Sequence, residues 1–255
     1  MKTTIEKIKS MKGREKIAML TGYDYFTSKM EDEAGIDIIL IGDSLGMVIL
    51  GYENTLSVTM EDMLRHTGAV ARGTKKALIV ADMPAGSFDD KETAALNAEA
   101  LIRLGADAVK IENKPEIAKF LVENDIPVMG HVGLTPQTKE FKVQGKDEES
   151  AKEIMELAKQ CEEAGCFSAV LEGIPRDLAK KITESTSMPT IGIGAGPDCD
   201  GQVLVSNDML GLYDKLSPKF VKRYAELGKE MKKAFENYIK EVKEGRFPED
   251  KHSFH

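Results

Sequence analysis

The sequence predicts an α/β protein folded as one (β/α)8 TIM barrel over residues 1–255. Three observations predict it. The chain has 255 residues, and about 250 is typical of this barrel. A unit recurs, in which a helical run meets a glycine and then a short apolar run ending in an acid: EDEAGIDIILIGD, IRLGADAVKIE and CEEAGCFSAVLE. Counting such apolar runs gives about eight, each too continuous for a half-exposed strand and too short for a core helix, as buried parallel strands are.

Taken in order, the strands fall at 16–21, 37–42, 77–81, 108–111, 127–130, 169–171, 189–193 and 203–205. In the recurring unit each helix stops at Gly35, Gly105 or Gly165, the residue that adopts the left-handed position after a helix most cheaply. One helix starts near Thr59, where Thr59 and Asp62 have the spacing of a capping box, and ends near Gly73. Others cover 92–104, 115–124, 149–164 and 175–186. A long C-terminal helix is expected at about 218–243, with Ser217 as N-cap and Pro218 at its first position. It would place Val221, Tyr224, Leu227, Met231, Phe235, Tyr238 and Val242 on one apolar stripe, and Gly245 and Pro248 end it before a short polar tail. Strands alternating with helices imply a parallel sheet with right-handed crossovers, and eight strands favour closure.

Composition narrows the function. Hydrophobic residues at 42% and charged residues at 31% are those of a globular protein with a large core. A net charge of −8 argues against nucleic acid as a partner. Cys161, Cys166 and Cys199 form no CxxC pair, which reads as free thiols in a reducing cytoplasm. The opening MKTTIEKIKSMKGREK lacks a signal-peptide apolar stretch, and no segment approaches the roughly 20 apolar residues of a membrane span. The expectation is a cytoplasmic protein with no membrane partner.

Active sites of such barrels form at the C-terminal strand ends. There the second strand finishes in Gly42-Asp43-Ser44, the third in Ala81-Asp82-Met83-Pro84 and the fourth in Lys110-Ile111-Glu112. The fifth ends in Gly130-His131 and the sixth in Leu171-Glu172-Gly173. Terminal carboxylates on one or two strands would mean nothing. On four of five neighbouring strands they repel one another unless a cation joins Lys110 among them. Oxygen ligands without clustered His or Cys suit Mg2+ rather than zinc. Such a cation can chelate a 2-oxo acid and stabilise the enolate formed when a proton leaves the adjacent carbon. A carboxylate free of the metal then acts as base, and position leaves both Glu112 and Glu172 open.

Other motifs say less. Gly192-Ile193-Gly194-Ala195-Gly196 resembles a dinucleotide fingerprint, but Pro197 stands at its third glycine position, so a Rossmann site is rejected. Those glycines are expected to let backbone approach a ligand. His66 lies within a helix, His252 and His255 in the tail. Ser44 is either a ligand or a turn residue, and the run Met47 to Leu50 either a buried loop or an oligomer contact.

Over nearly its whole length the chain resembles the ketopantoate hydroxymethyltransferase family. The likeness is dense in GDSLGMVILGYENTLSVTMEDMLRHTGAVARG, ADMP, AVKIE, IPVMGHVGLTPQ, KVQGK, VLEGIP, PTIGIGAG followed by CDGQVLV, and PKFVKRYAEL. The resemblance implies a barrel of the phosphoenolpyruvate/pyruvate type that binds Mg2+ and removes a proton from C3 of 3-methyl-2-oxobutanoate. The enolate then takes a hydroxymethyl group from 5,10-methylenetetrahydrofolate, in pantothenate and coenzyme A synthesis. Matched by motif, Asp43 and Asp82 would serve the metal, with Glu112 completing its surroundings, through water if not directly. Asp43, Ser44, Asp82, Lys110 and His131 would hold the 2-oxo acid, and Glu172 would be the base. The family also forms large homo-oligomers, often decamers. Two segments are shorter here than in relatives, the passage through ENKPE and the one between LTPQ and KVQGK. Neither removes a position named above. The competing readings are a Mg2+-dependent carbon–carbon lyase acting on a 2-oxo acid, and a non-catalytic metal-binding barrel.

Overall fold

A computed structural model describes residues 2–137, 142–215 and 218–255. Eight parallel strands close into a barrel in chain order, β1 (Ile17–Thr21), β2 (Ile38–Ile41), β3 (Leu78–Asp82), β4 (Ala108–Glu112), β5 (Val128–Gly133), β6 (Ser168–Glu172), β7 (Thr190–Ile193) and β8 (Gly201–Leu204). Pairing of β8 with β1 completes the circle. All eight expected strands are present. The largest shift is at β5, which runs on to Gly133 and so takes His131 into the sheet.

Helix α1 (Ile5–Met11) precedes the barrel, and α2 (Tyr25–Ala34), α3 (Leu45–Val48), α4 (Met60–Gly73), α5 (Lys91–Arg103), α6 (Pro115–Glu123), α7 (Glu148–Glu163) and α8 (Arg176–Ser185) fill the connections up to β7. Their starts follow local chemistry. Asp24, Asp90 and Asp147 accept from backbone N–H groups of the first turn, and Thr59 and Asp62 form the expected capping box. Gly35 ends α2 in the left-handed region at φ 90°. Among the described residues no helix joins β7 to β8.

Strand periodicity sorts the core into two layers. Ile39, Ile41, Ile79, Val109 and Leu171 share a cluster with Ala98 and Leu101 of α5 and Ile154 of α7, so they face the helices. Ile38, Leu40, Leu78, Val80, Ala108, Met129 and Val170 form the other cluster, which fills the barrel. Each buried aliphatic side chain contributes about 1.5–3 kcal/mol. Ile8 and Met11 of α1 join this inner cluster beside Ile17 and Met19. Lys12 and Gly13, just after α1, bond Asp200 at the start of β8. The helix therefore closes the end of the barrel from which β1 and β8 begin.

The expected single domain divides into two compact units, Met1–Val205 with the barrel and Ser206–His255. The second unit contains α9 (Ser206–Met209) and α10 (Leu227–Lys243). The C-terminal helix thus begins at Leu227, not near 218; the proposed cap Ser217 lies outside the described residues. The reason lies in the backbone bonds. Tyr224 donates to the Met209 carbonyl and Leu227 to that of Leu210, so this segment pairs with the chain after α9 instead of coiling on itself. A side chain at Gly228 would meet the Gly211 carbonyl at 2.7 Å, so only glycine permits this approach. The tail histidine His252 accepts from the Glu249 N–H. Among the described residues no helix is long and apolar enough to cross a membrane.

Candidate active site

The periodicity that fills the barrel also places the functional groups. Continued by two residues, the inward positions Val80, Ala108, Met129 and Val170 lead to Asp82, Lys110, His131 and Glu172, and Lys110 leads on to Glu112. Register then pairs Asp82 with Lys110 and Glu112 with His131. Residues that are distant in sequence become neighbours because adjacent strands end at the same height.

Two groups result. In the first, Lys110 forms an ion pair with Asp82, and the Asp43 N–H donates to the other oxygen of Asp82 over 3.1 Å. Asp43 and Asp82 therefore meet at one end of the barrel. Gly42 makes room, since a Cβ there would come within 2.7 Å of the Ser44 hydroxyl. Ser44 in turn lies 2.8 Å from the Tyr23 hydroxyl. In the second group His131 lies between two acids, Nδ1 at 3.1 Å from Glu112 and Nε2 at 3.2 Å from Glu172. Asp43, Asp82, Lys110, Glu112 and His131 are all buried. Glu172 keeps a side-chain exposure of 16%, so among the charged groups here it faces the way in.

Electrostatics follow from this crowding. Burial, reinforced by Asp82, pushes the Asp43 carboxyl up to about 7. Burial alone would discharge Lys110, but Asp82, Glu112 and Asp43 outweigh it and keep the ammonium charged. His131 is opposed by burial and by Lys110, yet Glu112 and Glu172 raise it to about 9. Glu112 is buried too, and the His131 charge beside it holds its carboxyl below the usual range.

Gln137 was missed by reasoning from strand ends, because it lies in the loop after β5. Its Nε2 donates to Asp43 over 2.8 Å and to the Met83 carbonyl over 3.0 Å, and its backbone N–H donates to Glu112 over 3.3 Å. The motif IPVMGHVGLTPQ contained it, but nothing in the spacing gave it a role. The glycines of the GIGAG run differ from expectation. The space a Cβ would take is filled at Gly192 by the Cys199 sulfur, 3.0 Å away, and at Gly196 by Arg176, so protein rather than ligand approaches there. His66 bonds the Tyr23 carbonyl. Met47 and Val48 are half-buried while Ile49 and Leu50 are exposed, so that run is neither a wholly buried loop nor a wholly free one.

For a divalent cation the donors fit in kind. Mg2+ is held by one or two carboxylates and otherwise by water or substrate oxygens, and Asp43 and Asp82 supply two adjacent carboxylates with more negative charge than Lys110 balances. Among the described residues no three His, Cys, Asp or Glu side chains close around one point. Glu112 is turned to His131 and Gln137 instead.

A family model described as ketopantoate hydroxymethyltransferase matches residues 2–250. The 3-methyl-2-oxobutanoate hydroxymethyltransferase of Clostridium acetobutylicum is 55% identical over 100% of this chain and 96% of its own length. That of Enterococcus faecalis is 54% identical with the same coverage. Among solved structures, 2,3-dimethylmalate lyase of the PEP mutase/isocitrate lyase superfamily superposes with a TM-score of 0.62 at 15% identity, over 100% of this chain and 93% of its own. Phosphonopyruvate hydrolase, solved with oxalate and Mg2+, gives a TM-score of 0.63 at 13% identity, covering 100% and 92%. These two likenesses show the fold alone.

Proposed function

This chain belongs to the ketopantoate hydroxymethyltransferase family, and from that premise we propose how the groups at the strand ends carry the reaction. The chain is a hydroxymethyltransferase that acts on 3-methyl-2-oxobutanoate in pantothenate biosynthesis, and the C-terminal mouth of the barrel is its reaction site. Glu172 is the base that removes the C3 proton. Its partial exposure lets it reach substrate, while His131 Nε2 stands 3.2 Å from one of its oxygens and leaves the other for the proton. Lys110 and Ser44 bind the oxo acid, the ammonium offering a charge to its carboxylate.

Asp43 and Asp82 hold Mg2+, with Glu112 behind them through water. When bound, the cation supplies polarisation of the 2-oxo group, which acidifies C3. The one-carbon donor is 5,10-methylenetetrahydrofolate. The protein works in the cytoplasm as a homo-oligomer; the exposed side chains of Met231, Phe235 and Tyr238 on α10 support an assembly.

The observation that carries this reading is the Glu112–His131–Glu172 chain set beside the Asp43–Asp82–Lys110 group. The test is exchange of the C3 proton of 3-methyl-2-oxobutanoate in heavy water with Mg2+. Glu172→Gln should slow exchange by about 10²–10⁴-fold and leave oxo-acid binding largely intact. Normal exchange in the variant removes Glu172 from the role. Product formation only with methylenetetrahydrofolate separates transfer from a lyase.

A further inference from the structure

Gln137 touches three strands' worth of the acidic site without being one of its acids. Its carboxamide nitrogen donates to Asp43 and to the carbonyl beside Asp82, and its backbone N–H donates to Glu112. Two acceptors around one end of the carboxamide settle which end is nitrogen, since an oxygen there would face two other oxygens. The remaining Oε1 is buried and has no donor among the described residues. An orphaned buried acceptor costs about 1–3 kcal/mol and calls for an occupant that the protein does not supply. Bond lengths keep this oxygen within about 5 Å of the Asp43 carboxylate that its own nitrogen binds.

We propose that Gln137 is a positioning residue for the divalent cation. Its nitrogen locks the Asp43 carboxylate in the pose that meets the ion, and its unpartnered oxygen accepts from a water of the ion's hydration shell. The inference rests on the cation site proposed above. Waters on Mg2+ are strong donors and need acceptors, and the ion keeps several of them. Partners that orient metal-binding side chains in this way commonly carry a 10–100-fold share of metal affinity.

The test uses Gln137→Leu, which removes donor and acceptor but keeps the backbone bond to Glu112. Mn2+ is titrated calorimetrically into parent and variant without substrate. The variant should bind about 10–100-fold more weakly, and saturating Mg2+ should restore kcat to within about twofold of the parent. Affinity within about threefold of the parent, or a loss of kcat that Mg2+ cannot restore, overturns the proposal. If Gln137→Leu does not fold, Gln137→Met, which is closer in shape and also lacks donor and acceptor, answers the same question: weakened Mn2+ binding again supports the role and unchanged binding refutes it. Failure of the parent to bind Mn2+ sinks the cation site itself, an outcome distinct from equal binding by parent and variant.

Discussion

Lys110 shows how far one side chain can hold a site together. It is a buried ammonium paired with Asp82 and close enough to Asp43 and Glu112 for both to stabilise its charge. Such a cation adds little as a surface pair would, but its removal strands buried carboxylates with no counter-charge. Lys110→Met should therefore lower the unfolding free energy of the metal-free protein by about 3–5 kcal/mol in urea titrations, a size typical of breaking a buried pair. A loss under about 1 kcal/mol, the worth of a surface pair, would mean that the acids around it are already neutral in the parent. Asp43, Asp82, Lys110, Glu112, His131 and Glu172 were legible in the sequence because strand ends are marked by the change from apolar run to acid. Gln137 was not. A loop has no period, so nothing in its spacing says which way a side chain turns.

At the scale of elements, α2 carries a buried acid that the site does not use. Among the described residues neither oxygen of Glu31 has a hydrogen-bond partner, and burial, with Asp24 adding to it, raises its carboxyl to about 8. The folded state thus holds a proton that the unfolded chain, near 4.5, releases. Between those two values folding binds more protons than unfolding, so stability falls as pH rises, and above about 8 the penalty is constant. Against the parent, Glu31→Gln should gain about 1.4 kcal/mol per pH unit from pH 4.5 to 8 and nothing further beyond. Urea midpoints at three pH values decide it; a difference that does not change with pH shows Glu31 ionised in the fold. Element boundaries divide along similar lines. Helix α4 was legible because its capping box is local. The start of α10 was misread because Ser217 and Pro218 imitate a helix start, whereas the carbonyls of Met209 and Leu210, which claim the segment's N–H groups, lie well back along the chain.

For the whole molecule, closure of the sheet was readable from eight apolar runs, and closure brings the strand ends into one ring. Assembly is a different matter. The α10 stripe keeps Phe235 at 59% and Tyr238 at 57% exposure, more aromatic surface than one helix commonly leaves to water. Sedimentation should give a mass at a multiple of 28.0 kDa; a 28.0 kDa species at micromolar protein would exclude the homo-oligomer. Helix α1 has a consequence for traffic through the barrel. A tube plugged at its base is a cul-de-sac, and guests share one doorway. The space beside Asp82 and Lys110, with side chains at 3% and 5% exposure, lies deeper than Glu172 at 16%. On the proposal above, the small oxo acid enters ahead of the larger carbon donor, and its product leaves after that donor.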